Sequence, residues 1–148
     1  AINIGINEDS MAQILYSRFG EIAVRGYAVW DETKWKQWMI LATTTPPKEF
    51  DLPMAEGLSV VNPCTYRKNQ FGEVSVGGAA SGTIEVGTAI ATLPSGFRPI
   101  KTVERPAVYS VDGAWTGGTV VITTDGIVRA YGQLSATSMV FTVDFVAD

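Results

Sequence analysis

The sequence predicts an all-β chain, on three observations. Apolar and polar residues alternate along many short runs. Val, Thr, Ile and aromatic residues are abundant within the runs, and 15 glycines and 7 prolines punctuate them. No apolar pattern of period 3.6 persists. A period of two buries one face of a strand, and Gly and Pro supply the turns between strands. The 148 residues suffice for one ordinary domain or two small ones. A hydrophobic content of 46% with 18% charged residues argues against disorder.

From the N-terminus, Ile2, Ile4 and Ile6 alternate, which suits an extended segment entering from upstream chain. A short helix over residues 8–16 with Asn7 as cap lacks a sustained helical period and is set aside. Residues 13–16 and 21–30 read as two strands joined around Arg18-Phe19-Gly20. In the second, Ile22, Val24, Gly26, Ala28 and Trp30 share one face, and Ala23, Arg25 and Tyr27 the other. A polar turn, Asp31-Glu32-Thr33-Lys34, leads to a third strand over residues 35–42. Trp30, Trp35 and Trp38 are expected to pack into the core of this small hairpin module rather than to bind a sugar.

Thr43-Thr44-Thr45-Pro46-Pro47 is a linker by composition, because successive prolines favour an extended, semi-rigid connection. The boundary is therefore set between a module of residues 1–47 and a second domain of residues 48–148. In that domain, strands are expected at residues 58–61, 64–68, 73–80, 83–92, 107–112, 119–124, 127–131 and 139–146. Asn69-Gln70-Phe71-Gly72 and Ala80-Ser81-Gly82 read as turns, and Asp125-Gly126 as a type I′ hairpin turn. Met139, Phe141, Val143 and Phe145 form the buried face of the last strand. Eight short strands at this spacing predict an antiparallel β-sandwich or barrel.

Charge and composition exclude several functions. A net charge of −4 argues against nucleic acid, which a basic surface must neutralise. The longest apolar runs, residues 58–61 and 119–122, fall far short of the ~20 residues of a membrane helix, so no membrane insertion is expected. The polar N-terminus does not read as a signal peptide. The absence of histidine removes Ser-His-Asp and Cys-His catalysis and His-dependent zinc sites. Cys64 stands alone and reads as a small buried residue. No Gly-rich loop opens a helix and no Asp-x-Asp run suits calcium, so neither cofactor nor metal is expected. Glu85, Asp112, Asp125 and Asp144 lie on separate elements, without the pairing of a glycosidase.

Two stretches hold the candidate contact residues. In Leu93-Pro94-Ser95-Gly96-Phe97-Arg98-Pro99, Pro99 biases Arg98 to extended backbone. Arg98 then either covers a barrel end or clamps a phosphate or hydroxyl pair. In Gly113-Ala114-Trp115-Thr116-Gly117-Gly118, the small flanking residues leave Trp115 little local cover. It either folds back on the barrel or offers its apolar face to a sugar ring or a partner chain. Tyr109 and Tyr131 lie on neighbouring strands that would extend this platform.

Residues 91–108 followed by 117–132 resemble the C-terminal heads of tail receptor-binding proteins from phages of Gram-positive bacteria. The Leu-Pro-x-Gly-Phe-Arg-Pro segment at 93–99 and the Thr-x-x-Ile-x-x-Asp-Gly-x-Val hairpin at 119–128 carry the likeness, which covers roughly residues 50–148. The Trp-x-x-Trp of Trp35 and Trp38, then residues 41–44, is similar to neck repeats of phage tail fibres. The resemblance implies a Trp-rich neck followed by a head, assembled as a homotrimer. It also implies binding to host cell-wall polysaccharide or teichoic acid without cleavage. The protein would be made in the host cytoplasm and sit at the distal tail of the virion, beside other tail or baseplate proteins. The matching ligand positions are Arg98, Tyr109, Asp112, Trp115 and Tyr131. The alternative is a structural trimerisation or tail-assembly module with Trp115 buried between subunits.

Overall fold

The computed structural model describes residues 2–7, 10–18, 21–30, 32, 34–42, 46–132 and 135–147. The expected turn residues Phe19, Gly20, Asp31 and Thr33, and the linker residues Thr43, Thr44 and Thr45, lie outside the described residues. The chain forms two compact units, Ala1–Pro46 and Pro47–Asp148.

The first unit is a four-stranded antiparallel sheet, β1 (Ile2–Asn7), β2 (Ser10–Tyr16), β3 (Ile22–Ala28) and β4 (Met39–Ala42), in that spatial order. The strand expected over residues 35–42 is shorter. Trp35 makes only an isolated bridge to Tyr27, and regular pairing begins at Met39. The tryptophans do not form a core. Trp30 is 72% exposed, and Ala23 is the one buried residue among the described side chains of this unit. In place of a core, the Arg25 guanidinium lies over Trp35 at 4.3 Å and Trp38 at 4.6 Å, and its Nε donates to Gln13 Oε1 at 2.8 Å. Tyr27 packs tilted on Trp35 at 5.0 Å.

The second unit is an eight-stranded antiparallel sheet. Its strands are β5 (Glu49–Asp51), β6 (Ser59–Lys68), β7 (Glu73–Ile84), β8 (Ala89–Thr92), β9 (Val103–Val111), β10 (Ala114–Ile122), β11 (Ile127–Tyr131) and β12 (Ala136–Val146). The spatial order is β5-β6-β7-β12-β9-β10-β11-β8. The sheet curls until its ends meet. The chain after β5 bonds β6 through Leu52 N to Cys64 O, and bonds β8 through Ala55 N to Ile90 O and Thr92 N to Pro53 O. Each strand then turns one face inward. On β12, Met139, Phe141, Val143 and Phe145 are buried, as the alternation requires, while Val140 and Val146 are exposed. They join Val74, Val76, Ile84, Ile90, Leu93, Val120, Ile122 and Val128 in one core.

Several expected breaks are absent. The two strands expected at 58–61 and 64–68 are one, β6, which begins at Ser59 and whose register shifts on both sides of Asn62 absorb Pro63. Ala80-Ser81-Gly82 is not a turn but runs on within β7. Conversely, the run 83–92 is interrupted by a turn at residues 85–88, closed by Thr88 N to Glu85 O, with Gly87 at φ 85°. Asp125-Gly126 does end a hairpin, but not as a type I′ turn, since Gly126 alone of the pair has positive φ. Thr123 O accepts from Gly126 N and Thr123 N donates to Ile127 O, which makes a three-residue loop ending in a left-handed glycine.

Candidate functional site

The stretch expected as a contact loop is mostly strand. Asp112 and Gly113, at φ 49° and 80°, form a two-residue turn between Val111 and Ala114, which pair across it. Positive φ at both positions is the type I′ geometry that matches strand twist. β10 therefore starts at Ala114 and carries Trp115 onto the outer face of the sheet, 58% exposed. Across the outer face, Trp115 lies in register with Ser110 of β9 and, beyond it, Ser138 of β12; the next row holds Gly117, Val108 and Val140. Val108 and Val140 are exposed, and a Cβ on Gly117 would meet nothing within 4 Å. The result is an open apolar platform beside hydroxyls, with the Asp112-Gly113 turn at the end of its strands, suited to an amphipathic ring.

The other expected site residues are dispersed. Tyr131, 42% exposed, pairs with Thr119, four residues or about 13 Å along β10 from Trp115. Tyr109 points the opposite way and is fully buried, so it is a core residue and not part of the platform. Its ring packs against two adjacent glycine backbones. A Cβ on Gly118 would come within 2.7 Å of it, and one on Gly132 within 2.6 Å. Its hydroxyl donates to Thr119 O at 2.5 Å and accepts from Tyr131 N at 3.2 Å. Burial raises the phenol pKa above its ordinary value, against a smaller lowering by the Tyr131 N–H.

Arg98 belongs to the framework at the far end of β10. Its Nε donates to Leu93 O at 3.1 Å, while Leu93 N donates to Gly126 O at 2.9 Å. A Cβ on Gly126 would stand 2.6 Å from Leu93 O and 3.0 Å from the Arg98 side chain. Thus Arg98 locks the 93–99 segment to the 123–126 turn. β10 separates this lock from Trp115 by seven residues, about 23 Å. Asp112 opens the turn three positions before Trp115; Arg98 lies at the other end of the strand.

A second surface was not found in the sequence. On the outer face of β5, β6, β7 and β12, Glu49, Arg67, Ser75 and Asp144 stand in one cross-strand row, each paired with the next. The adjoining row holds Thr65, Gly77 and Thr142. Two clefts of about 530 Å³ and 240 Å³ share Arg67 and Ser75 here. Thr65 Oγ1 donates to Glu49 Oε1 at 2.9 Å and Ser75 Oγ to Asp144 Oδ1 at 2.6 Å. Ser75 and Asp144 are 69 positions apart in the chain, so only the pairing of β7 with β12 reveals the row. Among the described residues, no three Cys, Asp or Glu groups converge to hold a metal ion.

With this geometry in hand, two solved structures are informative. The receptor-binding protein (gp15) of Listeria phage PSA is 17% identical, with a TM-score of 0.59 over 71% of this chain and 67% of that one. The head domain of the lactococcal phage bIL170 is 14% identical, with a TM-score of 0.56 over 70% of this chain and all (100%) of that one. The fold is that of phage receptor-binding heads. No protein-family model and no curated protein matches the sequence.

Proposed function

We propose that the protein is a phage tail receptor-binding protein that attaches the virion to host cell-wall saccharide or teichoic acid without cleaving it. The observation that carries this reading is the fold, which over about 70% of the chain is similar to receptor-binding proteins of two phages. The exposed Trp115 platform supports it, because an uncovered Trp in register with serines offers both stacking and hydrogen bonds to a sugar. In this reading residues 48–148 are the head and residues 1–47 the neck. Trp115 and Asp112 touch the ligand, Tyr131 extends the contact along the sheet, and Arg98 and Tyr109 hold the scaffold.

The head works as part of a homotrimer at the distal tail. The first unit supports assembly: Ala23 is the one buried residue among its described side chains, and its sheet exposes Leu15, Met39, Ile40 and Leu41. A lone sheet with so little core needs cover from other copies. Three shallow sites per trimer, repeated around a tail, raise avidity by ~10²–10⁴ on a repeating polymer. The test is an array of Gram-positive cell-wall polysaccharides and teichoic acids probed with labelled full chain and with Trp115→Ala. Light scattering is run on both. Binding lost with the trimer mass unchanged supports attachment. Dissociation of the trimer instead points to an assembly module with Trp115 between subunits.

A further inference from the structure

We infer that the Glu49–Asp144 row is a second ligand subsite on the head, built for a neutral polyhydroxyl group and against a phosphate. The inference rests on the attachment reading and specifies what this surface takes. Four strands present Glu49, Thr65, Arg67, Ser75, Thr142 and Asp144 on one outer face, with the strand order fixing their spacing. Gly77 keeps the middle of that face low: a Cβ there would stand 2.9 Å from Phe141 O and 3.1 Å from Thr142 Oγ1. The larger cleft, about 530 Å³, falls within the ~300–1,000 Å³ range of small-ligand sites.

The chemistry of the row selects the ligand. The Thr65 and Ser75 hydroxyls each orient one oxygen of Glu49 and Asp144, leaving the second carboxylate oxygen open to an incoming hydroxyl. Between them Arg67 is exposed and its side chain makes no hydrogen bond or ion pair among the described residues, so its fork of donors is available. Carboxylate acceptors alternating with guanidinium and hydroxyl groups match adjacent sugar hydroxyls, which both donate and accept. A phosphate finds a poor match. Glu73 also lines the cleft, so three carboxylates face one guanidinium. The neighbouring lysines are committed elsewhere: Lys48 lies over the Phe50 ring, and Lys68 Nζ donates to Gly96 O. Along β12, Asp144 lies six residues, about 20 Å, from Ser138 of the Trp115 row, on the same face. One polysaccharide chain can therefore run across both subsites.

The experiment titrates isotope-labelled full chain, by NMR, with glucose, N-acetylglucosamine, galactose and rhamnose, and separately with glycerol 3-phosphate. At least one neutral sugar should shift the amides of Thr65, Ser75, Gly77 and Thr142, and glycerol phosphate should not. Arg67→Ala and Asp144→Asn should each weaken that binding about tenfold, the loss expected of one charge-assisted hydrogen bond. Both substitutions are on the exposed face, and an unchanged spectrum elsewhere confirms the fold. Shifts by glycerol phosphate alone, by no sugar, or only around Trp115 overturn the subsite. The attachment reading fails separately, if the unsubstituted full chain binds no cell wall. Wall binding that is lost in Trp115→Ala and untouched in the two row variants overturns the subsite and leaves attachment standing.

Discussion

Gly118→Ala should destabilise the second unit strongly, although it adds one methyl group to a strand. The new Cβ would sit 2.7 Å from Tyr109 Cε2 and 2.7 Å from Gly132 Cα. Carbon atoms rest at about 3.5–4.0 Å, so about an ångström of separation must be found. The ring has no free space to retreat into, since Tyr109 is fully buried in the core. Overpacking of this kind costs about 1–3 kcal/mol. For a unit of about 100 residues, 1 kcal/mol moves Tm by about 4–8 °C, so the loss is about 4–24 °C. Gly117→Ala is the control: the same strand, one residue away, with nothing within 4 Å of the added Cβ. It should leave Tm unchanged or raised by the few degrees that replacing a strand glycine brings. Calorimetry on both variants decides. Equal transitions, or a larger loss in Gly117→Ala, would refute the close packing of Tyr109 on the Gly118 and Gly132 backbones.

Further outcomes follow from the same contacts. Tyr109→Phe leaves Thr119 O and Tyr131 N without their hydroxyl partner, at a cost of about 1–3 kcal/mol. Because burial raises the folded-state pKa of Tyr109, its contribution is complete below the unfolded value near 10 and is lost as pH rises through the folded one. Denaturant unfolding from pH 8 to 11 should therefore fall more steeply for the unsubstituted chain than for Tyr109→Phe. Cys64 is buried, its thiol pKa raised by desolvation, and its Sγ contacts Ala79 O at 3.4 Å. A thiol reagent should modify it only after unfolding, and rapid native-state labelling would contradict this placement. Asp125 behaves oppositely to Tyr109. The Thr123 hydroxyl holds its carboxyl below the usual range, so its stabilising effect is present above the unfolded pKa and lost as pH falls through the folded one. Thr123→Val should raise the Asp125 pKa in an NMR titration.

The sequence-level errors share a physical cause. Gly117 and Gly118 read as loop because glycine weakens strands, yet Gly118 is demanded by the ring of Tyr109 on the next strand. Gly82 read as a turn, but a Cβ there would meet Gly57 O at 2.9 Å, and one on Gly78 would meet Cys64 Cα at 2.5 Å. These are close approaches between distant segments, which local propensity does not contain. The same misreading hid the Asp112-Gly113 turn, since an expected six-residue loop swallowed its second residue. Strand alternation was legible where one face is plainly apolar, as in β12. It was ambiguous in β9, where Val108 is outward and Ala107 and Tyr109 inward, and so Tyr109 was assigned to the surface. The exposure of Trp115 was legible as one of two alternatives, because its flanking residues are too small to cover it. The Glu49–Arg67–Ser75–Asp144 row was not, because no local pattern joins β7 to β12.

Co-sedimentation of the full chain with purified Gram-positive cell walls tests attachment most directly, with the supernatant assayed for released sugar. The account predicts saturable binding that Trp115→Ala weakens at least about tenfold, or ~1.4 kcal/mol, with no sugar released. A chain that binds none of a broad panel of walls, or that frees reducing ends from them, would contradict it.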